Sequence, residues 1–436
     1  MNFENSRRLQ ETAHRLIPGG CHTYAKGDDQ FPAESPGFIV RGKGCQVWDA
    51  DGNAFIEYGM GLRSVTLGHA FEPVVEAACR QMLLGNNYTR PATIEVACAE
   101  RLLSLVGGDQ VKFTKDGSTA TTAAVKLARA VTGREMVALC GDHPFFSYDD
   151  WFIGTTAIDS GVLDDERKVS VKFRYNDLDS LSRVFDQHPG RVACVIMEPG
   201  RADEPREGYL ADVRDLAHKN GSLFVLDEMI TGFRYHLGGA QALYGVEADL
   251  ATFGKGLANG FSLSALTGRE EIMELGGIKH DRERVFLLST THGAENHSLA
   301  AAMATMDVYE DEDVVGFLHN QGERLRVGAT EVAASAGVQE YFEIAGRDCN
   351  LYFVTRDADG KPSQEYRTVF LQELIRRSII APSFVVSYSH TDDIIDQTIE
   401  AVGHALGVYR RALDDGAMKH LVGRAVKPVY RKFNHS

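Results

Sequence analysis

Three short runs constrain the fold of this chain more than anything else in it: Val137-Ala138-Leu139, Cys194-Val195-Ile196-Met197 and Leu223-Phe224-Val225-Leu226. Each is apolar at every position, so each offers hydrophobic side chains to both faces of a sheet. A half-solvated strand alternates. A strand that does not alternate reads as part of a parallel sheet covered by helices on both sides. Segments of helical spacing, such as Glu72 to Leu83, Thr93 to Leu105 and Ala120 to Ala130, alternate with such runs. That order predicts an α/β sheet, and in such sheets ligands bind at the carboxyl ends of the strands. The 436 residues are enough for this core plus a smaller companion domain.

The flanks read differently. The first turns look helical, with Leu9, Ala13 and Leu16 on one face, and end at Pro18-Gly19-Gly20. Gln46 to Asp49 and Ala54 to Tyr58 read as two short strands joined by the turn Asp51-Gly52-Asn53. After Leu299 the pattern is helical to Tyr309 and again from Gly316 to Ala334, then mixed to the end. The expected division is an N-terminal segment of a small domain over 1–70, a large domain over 71–310, and the C-terminal part of the small domain over 311–436.

The formal net charge of −15 argues against nucleic acid or an anionic membrane as partner, while leaving room for a local basic pocket. No apolar run reaches the ~18 residues of a membrane span, and the N-terminus lacks the apolar stretch of a signal peptide. The seven scattered cysteines form no C-x-x-C pair and read as reduced thiols of a cytoplasmic protein. No metal site is expected: His292 and His297 miss the i, i+4 ligand spacing, and His69 and His143 stand isolated.

Chemistry concentrates at three places. Asp227-Glu228 follows the run ending at Leu226, and a carboxylate delivered to the end of a buried strand is costly without a partner. A protonated pyridine nitrogen is such a partner; an aspartate capping the next helix is an equally good reading of the residue alone. Lys255 lies one strand–helix–strand excursion later, between Gly254 and Gly256. An amine so placed can bond to an aldehyde cofactor once its pKa is lowered, although Gly-Lys-Gly alone also fits an exposed loop. Asp116-Gly117-Ser118-Thr119 opens an alanine-rich helix, where small residues with backbone N–H groups suit a phosphate and also suit an ordinary cap. Between them, Phe145 to Phe152 supplies aromatic faces for a ring to stack on, or for the core to pack on.

The order of these pieces resembles the class III (omega-type) aminotransferases of PLP fold type I, and within them the glutamate-1-semialdehyde 2,1-aminomutase-like branch. The resemblance runs through LIPGG, RGKGCQVWDADGNAFIEYGMGLRSVTLGHA, RVACVIMEPG, LFVLDEMITGFR, TFGKG and STTHGAENHSLAAA. It implies a large domain with a mostly parallel seven-stranded sheet and a small α+β domain built from both chain ends. It also implies pyridoxal 5'-phosphate (PLP) as cofactor, held by the large domain. Lys255 would carry it as a Schiff base and shuttle the proton. Asp227 would pair with the pyridine nitrogen, Met229 would pack on the ring's far face, and Phe145 would stack where the family has tyrosine. Gly117 and Ser118 would hold the phosphate. Thr291 would reach it from a second subunit, so the active unit would be a homodimer.

Departures fall where substrate is expected. Thr119 stands where the family usually has glutamate, Lys26 where the aminomutase branch has a carboxylate-clamping arginine, and Arg63 where that branch has a small residue. Lysine cannot make arginine's bidentate fork. These departures suggest a substrate other than glutamate 1-semialdehyde, and the lost arginine clamp with the polar His22, Tyr24, Arg63 and His292 suggests a sugar-like or other polyhydroxylated acceptor. The expected activity is transamination from an amino-acid donor such as glutamate to a ketone or aldehyde acceptor, sugar-like or from secondary metabolism. The alternatives are an intramolecular aminomutase and a non-catalytic phosphate-binding α/β protein. The basic stretch KPVYRKFN near the C-terminus reads as a solvated tail rather than a substrate contact.

Overall fold

A computed structural model describes residues 1–143, 145–200 and 203–434. The chain divides into two compact units, one formed by Met1–Phe71 with Gly316–Ser436 and the other by Glu72–Val315.

The first unit begins with the helix Glu4–Leu16. Its buried residues are Ser6 and Ala13; of the face formed by Leu9, Ala13 and Leu16 only Ala13 is buried, with Leu9 and Leu16 40% and 70% exposed. The cause lies at the helix start. The two carboxylate oxygens of Asp51 accept from the amides of Asn5 (2.6 Å) and Ser6 (2.9 Å), which fixes the rotation of the first turn. Asp51 sits in the turn between β2 (Gln46–Asp49) and β3 (Ala54–Glu57), and β2 pairs on its other side with β1 (Ile39–Lys43). The turn closes because Asp49 Oδ1 accepts from Asp51 N and Asn53 N, with Gly52 at φ +86°.

The second unit carries the chemistry. Its strands are β4 (Gln110–Thr114), β5 (Met136–Cys140), β6 (Ser170–Phe173), β7 (Val192–Met197), β8 (Leu223–Asp227), β9 (Leu250–Phe253) and β10 (Ser264–Gly268). They form one sheet in the order β4-β10-β9-β8-β7-β5-β6. Only β10 runs against its neighbours, and the strands from β9 to β6 are parallel. The packing shows why the runs are apolar throughout. Val137, Leu139, Cys194, Ile196 and Val225 pack with Ala124, Leu127 and Ala128 of the helix Gly117–Thr132. The intervening Met136, Ala138, Val195, Met197, Phe224 and Leu226 pack on the opposite face with Leu181, Val184 and Val213. Every position of these strands meets a helix layer, so no polar residue has a place until the strand ends.

The chain then returns to the first unit. The strands β11 (Phe342–Ala345) and β12 (Tyr352–Thr355) form a hairpin, and β13 (Ile379–Ile380) adds parallel to β3. Phe3, Val47, Phe55, Ile375 and Ile380 share one cluster, so both chain ends build one small α+β domain.

Candidate active site

Polar residues appear where the central strands stop. β8 ends on Asp227, which is 3% exposed. Asp227 is in register with Thr252 of β9, and its Oδ1 accepts from the Thr252 hydroxyl and the Met229 amide, both at 3.0 Å. Burial pushes its carboxyl up to about 7; the nearby negative charge of Glu198 adds to this, and the Lys255 ammonium opposes it. A carboxylate in that condition lacks a cation strong enough to hold its charge.

Glu228 follows and is fully buried. It turns the other way, accepting from the amides of Ala240 (2.9 Å) and Gln241 (2.7 Å) and from the Thr231 hydroxyl. It therefore anchors the loop after β8. Of the paired acids, Asp227 is the one not committed to the start of the next helix.

Lys255 lies just past the end of β9 and opens a short 3-10 turn, Lys255–Ala258. Its φ is +47°, in the left-handed region that non-glycine residues rarely occupy. Met229 lies in close contact with two glycines. A Cβ on Gly117 would stand 2.9 Å from its Sδ, and one on Gly254 would stand 2.6 Å from Sδ and 2.5 Å from Ser264 Oγ. The absence of side chains at 117 and 254 thus lets the helix start, the methionine and the chain before Lys255 converge.

Asp116 caps the helix Gly117–Thr132 by accepting from Thr119 N at 2.9 Å. The cap and phosphate readings are compatible, because the amides of Gly117 and Ser118 belong to the same first turn and no helix carbonyl reaches them. Ser118 is buried, and its Oγ accepts from Tyr148 N at 3.2 Å. Two further bonds stitch the aromatic segment to this helix, Thr121 Oγ1 to Phe146 O (2.7 Å) and Trp151 Nε1 to Thr122 Oγ1 (2.9 Å). Phe146 is buried by this, and Phe145 keeps an exposed face with its ring 5.5 Å from Phe152.

The remaining candidates lie elsewhere. Thr291 and His292 occupy exposed chain: the Thr291 carbonyl accepts from Asn87 Nδ2 at 3.0 Å, and His292 Nδ1 is 3.3 Å from Glu295. Lys26 and Arg63 belong to the first unit. Lys26 is exposed on the 3-10 turn Tyr24–Lys26. The Arg63 guanidinium donates to Asn350 Oδ1 (2.8 Å) and Ser383 Oγ (3.3 Å).

Two residues join this site that sequence reasoning does not single out. Glu198 closes β7 as Asp227 closes β8 and is also buried, so an acid at the end of an all-apolar run is the signal for both. His143, isolated in the sequence, is buried with its Nδ1 accepting from Glu198 N at 3.0 Å. Its neutral Nδ1 is fixed as an acceptor by that bond.

This set fits a flat ring with a cationic edge at Asp227, an aldehyde within reach of an amine, and an anionic arm at a helix start. Among known families, the model of the class-III aminotransferases matches residues 24–347, and the chain belongs to that family. Its relatives group it with the glutamate-1-semialdehyde 2,1-aminomutase-like branch. It is 32% identical to glutamate-1-semialdehyde 2,1-aminomutase of Methanothrix thermoacetophila, covering 92% of this chain and 96% of that one. It is 29% identical to 3-aminobutyryl-CoA aminotransferase of Cloacimonas acidaminovorans, covering 95% and 99%. The structure of the PLP internal aldimine form of the Sphingopyxis sp. MTA144 FumI protein matches with a TM-score of 0.86 at 27% identity, covering 94% and 97%. Among the described residues no helix is long and apolar enough to cross a membrane.

Proposed function

We propose that this class-III aminotransferase binds PLP at the ends of β7, β8 and β9 and moves an amino group from an amino-acid donor, glutamate, to a ketone or aldehyde acceptor. The observation that carries the reading is Asp227: a fully buried carboxylate pushed up to about 7, at a strand end beside a lysine held in a left-handed conformation. PLP, when bound, supplies an electron-poor ring that stabilises negative charge developing on the substrate carbon.

The chain's own residues do the rest. Asp227 would favour a protonated ring nitrogen by offering it a buried negative charge. The Gly117 and Ser118 amides, at the positive end of a helix of 16 residues, hold the phosphate. Phe145 would offer a face for the ring to stack on, without the hydroxyl of a tyrosine, which stacking does not need, and Met229 would offer an apolar contact. Lys255 Nζ is the amine that would hold the cofactor and, once free, would take the proton from the donor Cα. Thr291, exposed in one chain, completes the phosphate site from a second copy. The exposed Met82, Leu83 and Leu84 at the end of the helix Glu72–Leu84 support that association. Sedimentation of the holoenzyme at twice the 47.9 kDa chain mass is the expected result, and a monomer with full activity would refute it.

Lys26 is read as the contact for a substrate carboxylate. Its single ammonium in place of a forked guanidinium favours an acceptor other than glutamate 1-semialdehyde, of sugar-like or other polyhydroxylated character. The second reading, an intramolecular aminomutase, is favoured by the relatives of that name. Mixing holoenzyme with L-glutamate alone separates them. A transaminase releases 2-oxoglutarate in amounts matching the enzyme as its visible band shifts, whereas a mutase releases little. Screening acceptors against the shifted form then identifies the second substrate.

A further inference from the structure

The basic stretch at the C-terminus is solvated only in part: Pro428 and Lys432 to Asn434 are exposed, but Arg431 and the residues just before the stretch are engaged. Arg424 donates to the carbonyls of Asp28 (2.5 Å) and Phe31 (3.2 Å) and lies 3.5 Å from the Asp28 carboxylate. Arg431 pairs with Asp29 Oδ2 at 2.5 Å, and only 17% of its side chain is exposed. Between them, Lys427 N donates to Asp29 O at 2.9 Å. The segment is seated by Val426, which is buried and whose amide donates to Thr368 Oγ1 at 2.8 Å. Val422 N is held by Gln372 Oε1 at 2.9 Å. Gly423 lies so close to Ala33 that a side chain there would stand 2.7 Å from its Cβ.

What this segment grips is the stretch carrying Lys26. The 3-10 turns Tyr24–Lys26 and Asp28–Gln30 follow one another, with Asp29 Oδ1 folded under Gly27. Asp28 is also 3.2 Å from His14 Nε2, and Asp29 Oδ1 accepts from Gln30 Nε2. Both acids next to Lys26 are thus engaged by other groups. Among the described residues no ion pair involves Lys26. An ammonium beside two unengaged carboxylates would have its charge matched locally and would offer little to a third.

We infer that residues 422–434 form a strap that ties off Asp28 and Asp29 and leaves the Lys26 ammonium for a substrate carboxylate, with Arg424 and Arg431 as positioning residues. The inference rests on reading Lys26 as a substrate contact. The two ion pairs along one segment reinforce one another, because the buried Val426 has already ordered the chain that carries them.

The test uses the holoenzyme with both arginines replaced, Arg424→Ala with Arg431→Ala, which leaves Val426 in place. One half-exposed and one largely buried pair are together worth on the order of 10-fold in local opening, so tryptic cleavage after Lys26 is expected to accelerate by about that factor. In the half-reaction with L-glutamate, KM is expected to rise about 5-fold while the limiting rate and the visible cofactor band stay as in the wild type. Arg431→Lys, which keeps the charge, recovers most of both effects. Lys26→Met raises KM alone and adds nothing on top of the arginine replacements. Unchanged cleavage overturns the strap. Faster cleavage with unchanged KM overturns its electrostatic role. If Lys26→Met itself leaves KM unchanged while cleavage of the arginine variant accelerates, the strap stands and the assignment of Lys26 to substrate falls.

Discussion

Lys255→Ala is expected to lower amino transfer by roughly 10³-fold or more, the largest effect of any single change in this chain. On the proposed reading two functions would be lost with one amine: the group that holds the cofactor and the base for the Cα proton. The backbone at Lys255 is compatible with this assignment, although nine other non-glycine residues among those described share a positive φ. Holding a non-glycine residue at φ +47° costs about 1–3 kcal/mol, and such strain persists where the surrounding structure needs it. Lys255 follows the end of β9, and its charge acts on Asp227 at the end of β8. Lys255→Arg is expected to fail as badly, because a guanidinium stays protonated and cannot attack an aldehyde. Borohydride reduction of wild-type holoenzyme followed by peptide mapping should place the cofactor on residue 255, and the variants should carry none. A label on another lysine, or full activity in Lys255→Ala, would sink the assignment.

How much of this is legible before folding depends on how local the signal is. The central sheet is legible because each core strand is apolar at every position, and a sheet covered by helices on both faces is the arrangement that buries all of them. Asp227 and Lys255 are legible as a pair and in family order, since each alone has an ordinary reading as a cap or a loop residue. The glycines at 117 and 254 are visible as small residues, but not their reason, which is the Met229 sulfur wedged against both. The face of the first helix is not legible, because its rotation is set by Asp51, some 45 residues away in sequence, and no periodicity within the helix records that bond. The C-terminal strap escapes for a similar reason: a charged stretch looks solvated until its counter-charges, nearly 400 residues earlier, are brought alongside. His143 stays hidden because its partner is a backbone amide, which every residue except proline possesses.

Asp227→Asn is expected to separate what this residue costs the fold from what it gives the reaction. In the cofactor-free protein, burial first and the charge of Glu198 second hold its carboxyl near 7, against 3.8 in the unfolded chain. Below about pH 4 the group is neutral in both states and costs nothing. As pH rises, the unfolded chain ionises first, so folding loses stability until the folded group also ionises near 7, and above that the whole penalty applies. The gap between 3.8 and about 7 corresponds to about 4 kcal/mol. Asparagine carries no charge and keeps an oxygen to accept from Met229 N and the Thr252 hydroxyl. The cofactor-free variant should therefore melt higher than the cofactor-free wild type at pH 8, with the difference shrinking toward pH 5.5. With PLP bound the order is expected to reverse in activity, because on the proposed reading the ring nitrogen would be the missing cation and asparagine could not hold its proton. The loss in turnover is expected to be on the order of 10²-fold or more. Melting curves of both proteins, with and without cofactor, at pH 5.5 and 8 decide the matter: a difference that does not change with pH would mean that Asp227 is not the group whose burial destabilises the empty site. A pH-dependent gap that closes when PLP binds would identify the buried carboxylate as a charge held ready for the cofactor.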